Sequence, residues 1–541
     1  MTLLTLLNSA GGADVPYLLE IAFASNPGSA VDASSWQDVT ARLERAIVTR
    51  QRNYELDRMQ AGTASFVWDD APELGADGGA LDPTNISSPY YPNVVPMRRI
   101  RFRSHRNGVT YHRFSGYVTD IKPAWAPPRA GKVEMQAVDG FEILATTLLV
   151  SDAAALTTAL AGANNDLLYT ARTAGGQGDD ITVAYVVAGT NTPLTVNVSG
   201  TAITVNVATN GAGAATSTAA QVEAAVEANA DAAKLVTVAS APSNNGTGTV
   251  TAMAATPLAG GKFPAETTGA RMTRVLDRIG WPAADRALDA GTVTVVAKGF
   301  AATENVTVLQ HLQDLADSEL GVLFSDPAGR VVFHDRSHRA TDPRSTTSQA
   351  TFSDDGTGFD YESAPPALDR TRILNEVTVT AEGGVPQTAS DAASVTRYRK
   401  RSIQRATQAT TDAVALELAQ AIVAAFKDAL VRFDTVEVAA WDNDPNVTAK
   451  LAAMLSLEIS DRATIRVSPP THTSIVGYDV FVEGLQDVVD VGRPWRMFVN
   501  LSPTGQSTSD DPGGGGGGGG ALKDSSGDDF VLDSGTAGVL G

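Results

Sequence analysis

In the stretch MRRIRFRSHRNG (Met97–Gly108), Arg99, Arg101 and Arg103 recur at every second residue, with Ile100 and Phe102 between them. Guanidinium groups in a row bind carboxylates or phosphates through paired, charge-assisted hydrogen bonds. Period-2 alternation is that of a half-buried strand, so the three arginines share one face. Three roles follow: a solvated strand face, a subunit interface meeting acidic surface, or direct contact with nucleic acid. The other chemistry-bearing groups are fewer. His334 and His338 stand four apart in HDRSHR, a metal-pair spacing on a helix, but this stretch leaves a hairpin and the spacing loses its meaning. The run WDDAPELGADGGALDP (Trp68–Pro83) is acidic but lacks the spacing of a calcium loop. Glu319 in DSELG is expected to be a solvated carboxylate at a helix end. Phosphate-binding loops, nucleophile elbows and helical zinc-hydrolase pairs are absent. No catalytic residue, metal ligand or cofactor site is therefore expected, and the chain reads as a non-enzyme.

The chain has 541 residues, a formal net charge of -20 and no cysteine. That length suggests several domains. Without cysteine there is neither a disulfide framework nor a thiolate metal site. The acidic balance argues against general nucleic-acid binding, which needs clustered Lys and Arg. No apolar run reaches the roughly 18–20 residues that span a membrane. The opening MTLLTLLNSAGGADVP has no basic flank and reads as an arm rather than a signal peptide.

The elements that must position the arginines are mostly strands. Residues 1–150 read as short strands separated by turns, a β-barrel-like domain. Residues 163–261 change composition and read as an inserted α+β module, with strands DITVAYVV, LTVNVSG and AITVNVAT. Its helix over Thr218–Ala233 starts with a Thr218/Gln221 capping box. Residues 262–367 are mixed α/β, with helices ending near Gly280 and Gly321 and a hairpin at Val322–Arg336. Residues 368–505 return to strands, with the longest helix expected over Thr411–Phe433. FSGYVTDIKPAW and VEGLQDVVDVGRPW each place a glycine, a β segment and a tryptophan after a proline, which hints at two related β-domains. Residues 506–541 carry an octaglycine linker and a flexible tail.

Longer stretches carry a family resemblance. WQDVT, AIVTRQR, ELDRMQAGTASFVWDD, NVVPMRRIRF and YHRFSGYVTDI resemble the opening domain of minor tail proteins of long-tailed, non-contractile bacteriophages. LQDLADSELGVLFSDPAGRVVFHDR, RILNEVTVT and LEISDRATIRV…FVEGLQDVVDVGRPWRMFVNLSP resemble later parts of the same proteins. The resemblance implies a structural tail-tip hub in the virion, at the distal end of the tail, assembled in the host cytoplasm. It implies two barrel-like tube domains per subunit and a homotrimeric, pseudo-sixfold ring. The implied partners are the distal tail ring, the tape-measure protein and a central fibre or receptor-binding protein, with DNA in transit through the lumen. A host-surface adhesin, a sixfold distal tail protein and a tail-associated cell-wall hydrolase are the other readings. In a hub, Arg99, Arg101 and Arg103 would meet the acidic surface of a neighbouring subunit.

Overall fold

A computed structural model describes residues 17–509, apart from 28–30, 72–77, 107, 127–129, 442–443, 445 and 469–474. The expected N-terminal arm and octaglycine linker lie outside the described residues. The chain is mainly β with α+β parts, as its strand-rich patterning predicts. Its largest element is one twelve-stranded sheet built from both ends of the chain. In the N-terminal part, Tyr17–Ala22, Arg99–Arg106, Val109–Ala126, Ala130–Val138, Thr63–Asp69 and Leu43–Gln51 pair side by side in that order. Leu43–Gln51 then pairs antiparallel with Val476–Asp490, in register from Gly484 opposite Gln51 to Asp490 opposite Arg45. From there the sheet continues into Arg462–Val467 and Ser348–Ser353 on one path and into Trp495–Ser509 and Thr435–Ala440 on the other.

The junction is tight because its residues are fitted to it. Gly484 sits at a register shift, where an added Cβ would lie 2.2 Å from the Cβ of Gln51. Behind the strands, Phe66, Phe102, Phe114, Trp495 and Val438 share one buried core, so the two β regions desolvate each other. Two buried ion pairs cross the junction. Arg113 donates from Nε (3.0 Å) and Nη2 (2.6 Å) to Asp487, and Arg52 donates to Glu483 at 2.7 Å.

The Gly–β–Trp similarity ends differently in its two copies. The first runs straight through one strand to Trp125, which is 67% exposed. The second turns before Trp495, which is 3% exposed and donates to Asp487 at 2.9 Å. The two tryptophans are therefore not equivalent.

Among the described residues, three smaller cores lie between the ends, besides a small cluster of Met59, Val322, Phe324, Val332 and Ile459. Residues from Ala154 to Leu258 form their own cluster around Tyr169, Tyr185 and Val222. Ala155 and Ala259 close its neck with reciprocal backbone hydrogen bonds of 2.8 and 3.0 Å. The strand Ala155–Thr157, ahead of the residue at which the module was expected to start, pairs within it. The capping box forms as read. The expected single helix breaks at Asn229, whose side chain donates to Val196 O and accepts from Ala232 N, so the chain restarts as Ala232–Leu235.

A second core joins the helices Thr268–Arg278 and Val308–Asp317 to the hairpin Val322–Ser325/Val331–His334. Phe141 and Leu144 also enter it. The sequence reads 132–144 as one strand, but the strand stops at Val138. Asp139 accepts from Phe141 N and Gly62 N, and this turns the chain into the helix Phe141–Thr146.

In the third core, Asp412–Phe426 covers the three-stranded sheet Gln387–Ser390, Glu376–Ala381, Ser402–Thr407. This helix was expected to reach Phe433, yet Arg432–Phe433 is already strand. The final strand runs on to Ser509, past the point where the linker was expected to begin.

Candidate functional site

The arginine strand forms as read, over Arg99–Arg106, with Ile100 and Phe102 fully buried beneath it. Its neighbours decide what the arginines meet. Glu20 lies opposite Arg101 on one side, and Ser115, Tyr117 and His112 lie opposite Arg101, Arg99 and Arg103 on the other. Arg101 forks onto Glu20, with Nε to Oε2 at 2.6 Å and Nη2 to Oε1 at 2.8 Å. Arg103 Nη2 donates to the same Oε2. Burial pushes the Glu20 carboxyl up, but the hydrogen bonds and charges of Arg101 and Arg103 outweigh it and hold it below its ordinary range. The Arg101 guanidinium also lies 4.1 Å from the Trp36 ring centroid. Arg101 and Arg103 side chains are 22% and 21% exposed, so neither is the freely solvated group of the simplest reading. Burial, followed by the charge of Arg103, lowers the basicity of His112.

Arg99 is held differently. Its Nη1 donates to the Tyr117 hydroxyl at 3.3 Å, and its Cζ stands 5.1 Å from that ring centroid. Its Nε is buried with no hydrogen-bond partner. The face thus sets three guanidinium groups beside Glu20 and, opposite Glu20 in the edge strand, Asp38, an excess of one positive charge on a chain of net charge -20. The strand brings the three residues to one face; it pairs two of them and leaves the third without a carboxylate among the described residues. Glu20 and Trp36 are partners the sequence reading missed. Glu20 had a signal, since a lone acid within the apolar strand PYLLEIAF needs a buried cation beside it.

The other candidates resolve into structural roles. The rings of His334 and His338 stack with centroids 3.5 Å apart and planes 8° apart, and His338 Nδ1 lies 2.8 Å from Asp289 Oδ2. Burial, then the charge of His338, pushes His334 down to about 3. Among the described residues no group of three or more His, Asp or Glu side chains is arranged to hold a metal. In the acidic loop, burial pushes Asp70 up to about 6, and Asp82 accepts from Thr84 N at 2.8 Å and from Trp125 Nε1 at 3.0 Å. Glu319 corrects its expectation. It is fully buried and accepts from Thr268 Oγ1 (2.6 Å), Thr292 N (2.8 Å), Thr292 Oγ1 (3.1 Å) and Val293 N (3.0 Å). It bolts a helix end to a loop rather than facing water.

No family model matches the chain, and no curated protein matches it. Solved structures similar to it include the 43 kDa tail protein of prophage MuSo2 from Shewanella oneidensis, at 10% identity and TM-score 0.44, covering 90% of this chain and 98% of that one. A tail protein from Neisseria meningitidis MC58 is similar at 10% identity and TM-score 0.45, covering 90% and 97%. The E. coli c3393 protein, a component of the type VI secretion system, is similar at 8% identity and TM-score 0.34, covering 86% and 74%. Two of these neighbours are described as tail proteins, and the third as structurally similar to T4 bacteriophage tail proteins.

Proposed function

We propose that this chain is a structural subunit of a bacteriophage tail tip. In this reading it forms a homotrimeric hub ring that joins the tail tube to a fibre or receptor-binding apparatus. The observation that carries the reading is the twelve-stranded sheet shared by the two ends of the chain. One subunit thereby presents two β regions in a fixed relation, locked by a common core and buried ion pairs. Three such subunits would offer six β regions to a sixfold tube. The distal tail ring and the tape-measure protein are then the partners on one side, a central fibre is the partner on the other, and DNA passes through the lumen. The net charge of -20 suits such a lumen, because an acidic wall repels phosphate and lets the genome slide. The subunit carries no catalytic step in this reading, and zymography on peptidoglycan should show no clearing. The deciding experiment is the mass of the assembled species by light scattering. Three copies support the hub; six copies point to a distal tail ring; a strict monomer at high concentration overturns assembly by this chain alone.

A further inference from the structure

His311 stands within the helix Val308–Asp317 and is fully buried. Neither Nδ1 nor Nε2 has a hydrogen-bond partner among the described residues. The ring meets Phe300 edge-on with centroids 4.6 Å apart, and Phe300 lies 6.0 Å from Phe263. A neutral imidazole carries one donor and one acceptor, and here both go unmet beside an apolar core. The charges that act on the ring are both positive. Arg271, on the helix Thr268–Arg278, is fully buried, donates to Glu266 at 2.9 Å and to Val296 O at 3.0 Å, and keeps Nη1 without a partner. Lys298 donates to both oxygens of Glu382 at 3.1 Å. The nearby carboxylates are bound elsewhere: Glu266 and Glu382 to those cations, Asp314 and Asp317 to Arg58, and Glu319 to Thr268, Thr292 and Val293. Glu142 and His334, on the other two elements of this core, are not among the charges that act on the ring. Burial, then Arg271 and Lys298, push His311 down to about 3.

The helix that carries His311 is also a joint. At its end, the Ser318 carbonyl accepts from Thr407 Oγ1 at 3.1 Å and the Ser318 hydroxyl from Gln408 N at 3.0 Å, which ties the helix to the strand Ser402–Thr407 of the third core. Arg58 donates to Asp314 at 2.6 Å and to Asp317 at 2.8 Å and ties it to the N-terminal part. We propose that His311 is an acid-operated release: a proton on its ring expels the ring from the core, frees the helix Val308–Asp317 and opens the joint to the third core. The imidazolium would have two charged donors unmet, two cations facing it and no free carboxylate to answer them, so the closed arrangement cannot hold it cheaply. The sign follows. The opened segment gives His311 its ordinary value of 6.5, while the closed one holds it at about 3. The closed state is therefore fully favoured above pH 6.5 and loses ground as pH falls towards 3. The release is a property of the single chain and does not rest on ring assembly.

The test is hydrogen exchange of the full chain at about pH 7 and pH 4.5, with each rate referred to that of an unstructured amide at the same pH. Protection over Val308–Leu320 should fall roughly a hundred-fold, the factor set by two pH units below the ordinary value of the ring. Protection over Ser402–Thr407 should fall with it, while Leu43–Gln51 stays closed. His311→Phe and His311→Leu fill the space without a titrating group and should show no such fall. His334, which burial also pushes down to about 3, and Asp139, pushed up to about 7, titrate in parent and variants alike and cancel in the comparison. Unchanged protection in the parent, or an equal fall in the variants, overturns the release. Loss over every segment, Leu43–Gln51 included, overturns a local opening. Where both variants misfold, the parent still decides. Its six histidines, labelled at ¹³Cε1, report their own protonation. If all six titrate above pH 5 while Val308–Leu320 stays protected, the closed core holds a charged ring and the proposal fails.

Discussion

Asp139 sits where the N-terminal strands turn into the middle of the chain, and it makes stability depend on pH. Its carboxyl is buried; Oδ2 accepts from Gly62 N at 2.6 Å and Oδ1 from Phe141 N at 2.9 Å. Burial pushes it up to about 7, against the pull of those two hydrogen bonds and of Arg50. The ordinary value is 3.8, so between these limits the folded chain holds a proton that the unfolded chain has lost. The contribution to stability is complete below pH 3.8 and is lost as pH rises through about 7. At about 1.36 kcal/mol for each tenfold change in proton affinity, the loss from acid to neutral pH is about 4 kcal/mol. Asp139→Asn removes the titration. Asn offers one oxygen to two N–H donors, so it carries its own cost of about 1–3 kcal/mol, but that cost does not vary with pH. The assay is the melting temperature of parent and variant from pH 5 to pH 8. Asp70 and Asp461, which burial also pushes up to about 6, titrate in both proteins and cancel in the difference. The parent should lose about 2–3 kcal/mol relative to the variant across this range, several degrees of melting temperature. Parallel curves would refute the reasoning.

Other perturbations test the joints of the fold. Arg113→Met strands the Asp487 carboxylate in the shared core and should destabilise by about 3–5 kcal/mol; adding Asp487→Leu should restore part of it, measured by urea unfolding. Glu319→Ala leaves Thr268, Thr292 and Val293 donors unmet and should cost about 3 kcal/mol or more in thermal melts, whereas a solvated Glu319 would cost almost nothing. Cutting out the inserted module between Ala155 and Ala259, where two backbone hydrogen bonds already close the neck, should leave a soluble remainder with its circular dichroism intact; an aggregate would mean a shared core. Replacing Arg99, Arg101 and Arg103 together by glutamate should spare folding less than the strand pattern alone suggests, because Glu20 would then face like charges, and light scattering should show assembly lost.

Local periodicity determined the arginine strand by itself. Alternation forces Arg99, Arg101 and Arg103 to one face and Ile100 and Phe102 to the other, whatever the strand pairs with. The capping box at Thr218, the hairpin at Val322–Arg336 and the helix stop near Gly280 were legible for the same reason: each depends on residues a few positions apart. Only the tertiary structure decided what the arginines meet. Glu20 is remote in sequence, and strand order alone sets it beside Arg101 and Arg103 while Arg99 is left against Tyr117. The role of Glu319 is not legible, because a helix-end carboxylate looks the same in sequence whether water or four donors surround it. The union of the two β regions in one sheet was equally hidden. Pairing of Leu43–Gln51 with Val476–Asp490 is a long-range choice, made by the fit of two half-buried faces and of Gly484 against Gln51, and no local pattern records it.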